Sequence, residues 1–299
     1  MNEETRAGFV AVVGAPNVGK STLINRLVGT KVSIVSPKVQ TTRMRVLGIC
    51  MAGAAQVIFV DTPGIFRPRR RLDRAMVAAA WGGAQDADQI LVLVDAKRRI
   101  CDDTRAIIEK LQQSGRKAVL AINKIDLVRK DALLALAAEL AETGIFTETF
   151  MISAETGDGT ADLLQHLANG LTEGPWLFPE DQVSDMPERL LAAEITREQL
   201  YLQLHQELPY AATVETETWE DKEDGSVRIE QVVYVERDSQ KAIVLGKRGS
   251  RIKELGSAAR TELEAILERK VHLFLFVKAR EKWGDDPERY RDWGLDYNA

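Results

Sequence analysis

Two periods of hydrophobic and polar residues divide the chain into two parts. From Phe9 to about Thr172, short apolar runs alternate with segments in which apolar residues recur at helical spacing. The apolar runs predict strands, and the segments between them predict helices. The predicted strands are FVAVVG, VLGIC, QVIFVD, QILVLVD, KAVLAIN and TETFMIS. Four helices are predicted: one after Lys20, one that ends at Gln113, one from Lys130 to Glu142 and one near Leu163. This alternation is typical of an α/β domain with a doubly wound, mostly parallel sheet, in which ligands bind at the carboxyl ends of the strands.

The pattern changes beyond Thr172. Residues 172–187 contain a glycine and three prolines among acidic residues, which predicts a linker. After it come a helix, two alternating strands, a short helix, a glycine turn, a long helix and the strand VHLFLFV. We therefore predict an α/β domain at residues 1–174, a linker at 175–187, an α+β domain at 188–280 and a tail at 281–299 with no firm structure.

Composition is that of a soluble globular protein. The chain has 299 residues, of which 45% are hydrophobic and 28% charged, and its formal net charge is −5. Its apolar runs are far too short to cross a bilayer, and MNEETR lacks the apolar core of a signal peptide. Cys50 and Cys101 have no pairing or metal-ligand spacing, so we expect reduced thiols and a cytoplasmic location.

GAPNVGKS follows the first predicted strand and opens a helix, as the phosphate-loop pattern G-x-x-x-x-G-K-[ST] requires. Its glycines let successive N–H groups point at phosphate oxygens, and the helix N-terminus adds its positive end. Lys20 is expected to neutralise the β and γ phosphates, and Ser21 to bind Mg²⁺. The predicted nucleotide-binding residues of this loop are Gly14, Ala15, Pro16, Asn17, Val18, Gly19, Lys20 and Ser21.

DTPG comes directly after the apolar run QVIFV. Its carboxylate is expected to hold Mg²⁺ through a water molecule, and its glycine to offer an N–H group to a γ phosphate. These four residues are Asp61, Thr62, Pro63 and Gly64. Upstream, a threonine of PKVQTTRMR is expected to complete the Mg²⁺ shell and close on the γ phosphate, with Thr42 preferred and Thr41 the near alternative.

NKID ends the strand KAVLAI and predicts guanine selection. The carboxylate of Asp126 accepts hydrogen bonds from N1–H and the exocyclic amine of guanine, whereas adenine presents an acceptor at N1 and no amine at C2. Asn123 is expected to support the loop and the base, and Lys124 to cover the ring and brace the phosphate loop. In ISA, residues 152–154, the N–H of Ala154 is expected to reach guanine O6. The base-binding residues are thus Asn123, Lys124, Ile125, Asp126, Ser153 and Ala154.

PKVQTTRMR and IFRPRRRLDRAM are expected to be two mobile segments, ordered by the γ phosphate and released on hydrolysis. The basic run Arg67–Arg71 either faces RNA or is a solvated loop face. Ile65 stands where Ras-type proteins use a glutamine to orient the attacking water. We hypothesise that a monovalent cation such as K⁺, held partly by Asn17, stabilises the developing charge instead.

A basic glycine turn lies near the end of the chain, in IVLGKRGSRIKELG. Between Lys241 and Arg280 ten basic residues stand against four glutamates, an excess of six in an acidic protein. The charge run alone is equally typical of a solvated helix face. With two helices around the turn, it is also typical of KH domains, which clamp about four nucleotides of single strand. The candidate RNA-binding residues are Gly246, Lys247, Arg248, Gly249, Arg251 and Lys253.

With both sets of motifs, the chain closely resembles the Era family of GTPases over nearly all of its length. QTTRMR, DTPGIFRPRRRL, PEDQVSD, AAEITREQLYLQLHQELPYA and VERDSQKAIVLGKRGSRIKELG carry the resemblance. It implies a P-loop GTPase domain followed by an α+β type II KH domain. One departure is GKRG, where the family often has Gly-Lys-Gly-Gly.

The resemblance also implies a role. The expected function is a GTP-hydrolysing switch, bound to GTP or GDP with Mg²⁺, whose KH domain binds the 3′ end of small-subunit ribosomal RNA and which assists 30S subunit maturation. We expect a monomer in the cytoplasm, with peripheral association at the cytoplasmic face of the inner membrane as a family trait. The alternative is a membrane-associated regulatory GTPase whose C-terminal domain binds protein partners. A GTPase that modifies transfer RNA is disfavoured because the C-terminal region has no cysteine.

Overall fold

The structure is a computed structural model that describes residues 4–38, 41–68, 70–204 and 208–299. The chain forms two compact units. The first consists of Met1–Ser33, Thr42–Asp185 and Tyr290–Ala299, and the second of Ile34–Thr41 and Met186–Arg289. The second unit therefore includes Ile34–Thr41, which lies within the sequence range of the first, and the first unit includes Tyr290–Ala299, which follows the second.

A six-stranded sheet forms the centre of the first unit, in the order β2-β3-β1-β4-β5-β6. All neighbouring strands are parallel except the edge strand β2, which is antiparallel to β3. The strands are β1 (Arg6–Gly14), β2 (Val46–Ala52), β3 (Ala55–Asp61), β4 (Gln89–Asp95), β5 (Ala118–Asn123) and β6 (Phe146–Met151). The prediction of a doubly wound, mostly parallel sheet is confirmed.

Helices cover both faces of this sheet. They are α1 (Lys20–Val28), α2 (Arg71–Asp86), α3 (Asp102–Ser114), α4 (Lys130–Ala141) and α5 (Thr160–Asn169). Side chains of β1 alternate between two separate hydrophobic cores, with Val10 and Val12 in one and Ala11 and Val13 in the other. Burial on both faces explains why the strands read as continuous apolar runs rather than as an alternating pattern.

The carboxyl ends of four strands meet at one edge of the sheet. β1 ends at Gly14 and β3 at Asp61, and the two strands are paired in parallel. β4 and β5 end side by side, with Asp95 opposite Asn123. This edge gathers the polar motifs that stand far apart in the sequence, as expected for a doubly wound sheet.

The segment after α5 is docked on the first unit. The buried amide of Gln56 on β3 accepts hydrogen bonds from the N–H groups of Leu177 and Phe178, at 2.9 and 3.0 Å, and donates to the carbonyl of Phe178 at 2.8 Å. Further along, the carbonyl of Val183 accepts a hydrogen bond from Ile49 on β2. Much of the predicted linker 175–187 therefore lies against β2 and β3, and the division between the units falls after Asp185.

The second unit has the element order α-β-β-α-α-β. Its sheet has the order β7-β8-β9, with β7 antiparallel to β8 and β8 parallel to β9. Because parallel neighbours need a crossover, the two helices between β8 and β9 are packed against the sheet. The elements are α6 (Glu188–Gln203), β7 (Ala212–Asp221), β8 (Val227–Val235), α7 (Asp238–Leu245), α8 (Ser250–Leu267) and β9 (Val271–Ala279).

The predicted tail is ordered by burial of aromatic and aliphatic side chains. A short helix, α9 (Pro287–Asp292), follows the buried Trp283. Beyond Arg289 the chain rejoins the first unit, where Tyr290 and Leu295 pack with Ala75 and Met76 of α2. The sequence predicts no firm structure for this stretch because its residues are mixed in character.

Within the described ranges, no helix is both long and apolar enough to span a membrane.

Candidate functional site

The phosphate loop connects β1 to α1 and is closed by a glycine. Gly19 has φ +101°, and a Cβ atom built there would lie 2.3 Å from the side-chain nitrogen of Asn123. Any other residue would therefore be strained in its backbone and would clash with that side chain. Glycine is therefore required at position 19 for two reasons: Asn123 of NKID lies very close to it, and the turn needs a positive φ angle.

Lys20 is turned back into its own loop. Its Nζ donates to the carbonyls of Gly14 and Ala15, each at 3.1 Å, and the side chain is buried. Burial lowers the pKa of Lys20 to about 8, although the neighbouring charge of Asp61 acts in the opposite direction. A bound phosphate would raise the pKa of this buried ammonium, because a nearby negative charge favours its charged form.

Three hydroxyl groups surround the carboxylate of Asp61 at the end of β3. Its Oδ2 accepts hydrogen bonds from Ser33 at 2.6 Å and from Ser21 at 2.9 Å. The hydroxyl of Thr42 lies 3.3 Å from the same oxygen and 3.1 Å from the hydroxyl of Ser21. The three predicted Mg²⁺ ligands are thus brought together, and Ser33 joins them without having been predicted.

Mg²⁺ fits the oxygens of this cluster. Within the described part of the chain, Oδ1 of Asp61 is buried without a hydrogen-bond partner. Burial raises the pKa of Asp61, against the opposing effects of its hydrogen bond from Ser33 and the charge of Lys20. A hard cation that prefers oxygen ligands would satisfy the orphaned carboxylate oxygen and stabilise its charge.

The two alternative threonines have different surroundings. Thr42 is buried and belongs to the first unit, beside Asp61. Thr41 belongs to the second unit, where its hydroxyl contacts the hydroxyl of Ser36 at 2.7 Å and donates to the carbonyl of Lys38 at 2.8 Å. The geometry favours Thr42 as the Mg²⁺ ligand.

The rest of DTPG also lies against the phosphate loop. The hydroxyl of Thr62 donates to the carbonyl of Val12 at 2.9 Å. A Cβ atom on Gly64 would lie 3.1 Å from the backbone of Pro16, so this glycine allows the two loops to approach closely. Ile65 donates its N–H to the carbonyl of Gly14, while its side chain is buried in the core and cannot orient a water molecule.

Asn123 joins three parts of the nucleotide site. Its Nδ2 donates to the carbonyl of Val18 at 2.8 Å. Its Oδ1 accepts from the N–H groups of Lys124 and Ala154, at 2.8 and 2.9 Å. The side chain is 1% exposed, so these bonds are protected from water. Asn123 supports the loop as expected, and it also ties down the ISA segment.

This arrangement changes one expectation. The N–H of Ala154 was expected to be free for guanine O6, but here it donates to Asn123. Reaching the base requires that this bond be shared or exchanged. Asp126 stands exposed in a short 3₁₀ turn, Ile125–Leu127, with its carboxylate accessible to a base. Ser153 is fully buried, and its hydroxyl accepts a hydrogen bond from the N–H of Thr156.

The ammonium of Lys124 contacts two groups, one in the phosphate loop and one that belongs to none of the sequence motifs. Its Nζ donates to the carbonyl of Asn17 at 2.6 Å and lies 2.7 Å from Oδ2 of Asp95. Asp95 was missed from the sequence, although its place as the last residue of a strand ending at the same edge is a signal that could have found it. Lys124 therefore braces the phosphate loop directly, and a carboxylate at the end of β4 holds its ammonium in place.

The second candidate site is the glycine turn between α7 and α8. Gly246 has φ +70°, and a Cβ there would lie 2.7 Å from the Cβ of Arg251. Gly249 has φ +77° and opens α8. Arg248 also adopts a left-handed conformation, with φ +54°. The family often has glycine at this position, so the structure places the departure where the backbone is strained for an arginine.

An open groove of about 360 Å³ adjoins this turn, between α8 and β9. Its walls combine basic side chains with apolar and aromatic ones. They are formed by Ile252, Lys253, Gly256, Ser257, Arg260, Leu273, Phe274 and Leu275. Apart from Lys253 these residues were not predicted, because the sequence does not show which face of α8 meets β9.

The basic residues of this region are not equally available to an anion. Arg269 is paired with Asp221 at 2.7 Å, and Lys278 with Glu217 at 3.0 Å. The guanidinium of Arg251 donates to the carbonyl of Ile243 at the end of α7. By contrast, among described residues no carboxylate lies within 4 Å of the charged groups of Lys247, Arg248, Lys253 or Arg260. Unpaired positive charge is therefore present at the turn and along the groove.

The first predicted mobile segment is attached to the second unit. The carbonyl of Thr41 accepts a hydrogen bond of 2.5 Å from Arg197 on α6. The N–H of Val35 donates to Glu198 at 2.7 Å, and Lys38 donates to the carbonyls of Tyr201 in α6 and of Leu204 just after it. Gln40, part of QTTRMR, lies outside the described residues. In this structure the segment up to Thr41 is part of the unit that carries the glycine turn.

The second predicted mobile segment leads into α2. Arg67 is exposed, whereas the guanidinium of Arg71 lies 4.4 Å from the ring centroid of Tyr297. Arg69 lies outside the described residues. At least one residue of the basic run is thus engaged within the chain rather than free for RNA.

One family match falls mostly in the first unit and another in the second. Residues 9–124 match the 50S ribosome-binding GTPase family, and residues 207–284 match the KH domain. GTPase Era of Rhizobium meliloti (strain 1021) is 63% identical over 293 residues, covering 98% of this chain and 94% of that protein. GTPase Era of Brucella suis biovar 1 (strain 1330) is 62% identical over 294 residues, with 98% and 94% coverage.

Solved structures give the same result. An Aquifex aeolicus Era variant bound to GDP·AlF4⁻ is 41% identical, with TM-score 0.91 and coverage of 97% of this chain and 99% of that one. Era in complex with MgGDPNP and nucleotides 1506–1542 of 16S ribosomal RNA is also 41% identical, with TM-score 0.92 and the same coverage. On identity and coverage, the chain belongs to the Era family of GTPases.

Proposed function

We propose that this protein is a GTP-hydrolysing switch that binds the 3′ end of small-subunit ribosomal RNA through its KH domain and assists maturation of the 30S subunit. The observation that carries the proposal is the division of PKVQTTRMR between the two units, with Thr41 in one and Thr42 in the other. A peptide bond joins the candidate Mg²⁺ ligand to a residue held by the KH unit.

This division supports a specific form of coupling. Loss of the γ phosphate releases Thr42 from the nucleotide site. The adjacent carbonyl of Thr41 is the acceptor of the buried guanidinium of Arg197, which also pairs with Glu194. A change in the position of Thr42 therefore changes the hydrogen bond between Thr41 and Arg197 on α6, the first helix of the KH unit. Nucleotide state then sets how firmly the protein holds RNA.

RNA as the ligand of the KH unit is supported by two features. The glycine turn carries Lys247 and Arg248, which have exposed charges, and the adjacent groove has basic and aromatic walls. KH domains bind single strands at such a turn. A relative that is 41% identical has been solved with 16S ribosomal RNA. Together these favour RNA over a protein partner.

Hydrolysis is driven by positioning and charge. Backbone N–H groups of the loop and Lys20 bind the phosphates and orient them for attack by water. Ser21, Asp61 and Thr42 would hold Mg²⁺, which when bound neutralises phosphate charge. Ile65 occupies the position at which Ras-type proteins have a glutamine. Its side chain is buried and apolar, so it cannot orient the water.

We further propose that K⁺ at the loop supplies part of the missing charge stabilisation. Asn17 is the residue that supports this, since it stands inside the loop in a left-handed conformation with φ +64°. Hydrolysis rates are measured in potassium and in sodium buffers for the wild type and Asn17→Ala. Equal rates in both buffers, with no change in the variant, would contradict the proposal.

Localisation and assembly remain part of the proposal. We propose a cytoplasmic monomer that associates peripherally with the inner membrane. Sedimentation of the purified protein with vesicles of anionic lipid tests the membrane arm, and sedimentation velocity tests the monomer. The competing function is a membrane-associated regulatory GTPase whose C-terminal domain binds protein partners.

Filter binding of an oligonucleotide from the 3′ end of small-subunit ribosomal RNA tests the main proposal. We expect a salt-sensitive complex, abolished by Gly246→Asp or Gly249→Asp and dependent on whether GDP or a GTP analogue is loaded. Gly225→Asp is the matched control, because Gly225 also has positive φ but lies in the β7–β8 turn with open space around it. Failure to bind any single strand, or equal loss in all three variants, would overturn it.

A further inference from the structure

We infer that Arg98, which belongs to none of the motifs above, is a positioning residue of the phosphate loop. Its Nη1 donates a hydrogen bond of 2.7 Å to the carbonyl of Pro16, in the middle of GAPNVGKS. The inference concerns the GTPase reaction itself and goes beyond the proposed RNA function.

The physical reason is the geometry of the peptide plane. In a trans peptide the carbonyl of one residue and the N–H of the next point in opposite directions. A donor that fixes the direction of the carbonyl of Pro16 therefore also fixes the direction of the N–H of Asn17, one of the successive N–H groups that a phosphate loop offers to phosphate oxygens.

The same arrangement recurs along the loop. Each carbonyl from Gly14 to Gly19 accepts a hydrogen bond, so the direction of every peptide plane in the loop is fixed by a donor. The donors are Lys20 to Gly14 and Ala15, Arg98 to Pro16, Lys124 to Asn17, Asn123 to Val18, and the N–H of Leu23 to Gly19. All the side-chain donors in this set are motif residues except Arg98.

Arg98 acts at the most strained point of the loop. Asn17 has a left-handed backbone, which disfavours a residue that is not glycine. The carbonyls on its two sides are held by Arg98 and Lys124, at 2.7 and 2.6 Å. Two charge-assisted hydrogen bonds thus bracket the strained residue, and such bonds are stronger than neutral ones.

The turn that presents Arg98 is itself fixed. Oδ1 of Asp95 accepts from the N–H groups of Lys97 and Arg98, at 2.9 and 3.2 Å. Oδ2 of the same carboxylate pairs with Lys124. One buried carboxylate at the end of β4 therefore places both side chains that bracket Asn17.

Arg98→Ala, Arg98→Lys and Arg99→Ala in the full chain test the inference. Arg99 is the matched control, because it is the exposed neighbour and reaches away to Glu139 at 3.4 Å. For each protein we measure affinity for GDP and GTP by titration, kcat and KM for hydrolysis, and melting temperature with and without GDP.

For Arg98→Ala we expect about tenfold weaker binding of GDP and GTP, in proportion to one charge-assisted hydrogen bond. The rise in melting temperature on adding GDP should shrink, while the nucleotide-free protein melts close to wild type. Arg98→Lys should recover to within about threefold, since it retains a charged donor. Arg99→Ala should match wild type.

Two results would overturn the inference. One is an Arg98→Ala protein that binds and hydrolyses GTP like Arg99→Ala. The other is a loss confined to the melting temperature of the nucleotide-free protein, with the increment from GDP unchanged, because that would make Arg98 a residue of general stability only.

Discussion

Lys124 Nζ lies 2.7 Å from Oδ2 of Asp95, and this pair braces the phosphate loop from the side of the guanine motif. The Asp95 side chain is 5% exposed and that of Lys124 is 30% exposed. A pair that is mostly removed from water is weakly screened, and losing one partner leaves the other charge poorly compensated.

Asp95→Asn should therefore weaken nucleotide binding. We expect a loss of about 1–2 kcal/mol in the free energy of GDP binding, because the ion pair with Lys124 is lost while an oxygen acceptor for the backbone remains. Fluorescence titration with a labelled nucleotide measures it. Glu139→Gln, which removes the exposed pair with Arg99, is the control and should leave affinity unchanged.

Asp126→Asn should change the base that is preferred. The amide has one acceptor for N1–H, but its NH₂ group meets the exocyclic amine of guanine, whereas the C2 carbonyl of xanthine would accept from it. We expect GTP affinity to fall by at least about 100-fold and xanthosine triphosphate to bind better than GTP. Competition titrations with the two nucleotides measure this, and a variant that still prefers GTP would remove Asp126 from base recognition.

Lys20 predicts a pH dependence of nucleotide binding. Its pKa in the free protein is lowered to about 8, and bound phosphates should raise it. Well below pH 8 Lys20 is protonated in both states, so affinity is independent of its titration. Above pH 8 binding must take up a proton, and affinity falls as pH rises.

Calorimetry at pH 7 and pH 8.5, in buffers of different ionisation enthalpy, measures that proton. We expect GDP affinity to fall by roughly fourfold between the two values, with more than half a proton taken up at the higher pH. No uptake at pH 8.5 would show that Lys20 remains charged in the free protein.

Arg248→Gly should stabilise the KH unit and weaken its RNA binding. Relief of the left-handed arginine should add about 0.5–1 kcal/mol to the free energy of unfolding, after the entropy that glycine gains in the unfolded chain. Loss of one charge should reduce the salt dependence of RNA binding by close to one ion. Urea unfolding and filter binding over a salt series measure the two effects.

Arg248→Lys is the control for that experiment. It keeps the charge and the strained backbone, so stability and salt dependence should both remain near wild type. An Arg248→Gly protein no more stable than Arg248→Lys would show that the turn is not strained at this residue.

The motif residues of the nucleotide site could be predicted because strand and helix periods place them at one edge of a sheet. Ser33 could not, since a single serine in a loop has no pattern of its own, and the only sequence signal for Asp95 is its place at the end of a strand. Their roles come from contacts across the sheet, to Asp61 and Lys124. Such contacts depend on strand order, which hydrophobic periodicity does not encode.

The same limit applies to the segment before Thr42. The sequence predicts a mobile loop beside the nucleotide. No residue pattern in the segment indicates that the carbonyl of Thr41 accepts a hydrogen bond from Arg197. The buried arginine lies 156 residues away on α6, within a helix that reads as an ordinary amphipathic element. Pairings over that distance are set by tertiary packing rather than by local sequence.

The packing of Tyr290 and Leu295 on α2 has a consequence for synthesis of the protein. A ribosome translates the whole KH region before it reaches these residues, so the hydrophobic face of α2 that they cover stays bare throughout that interval. Until then the nascent first domain exposes Ala75 and Met76, and chaperones have a defined apolar target on it.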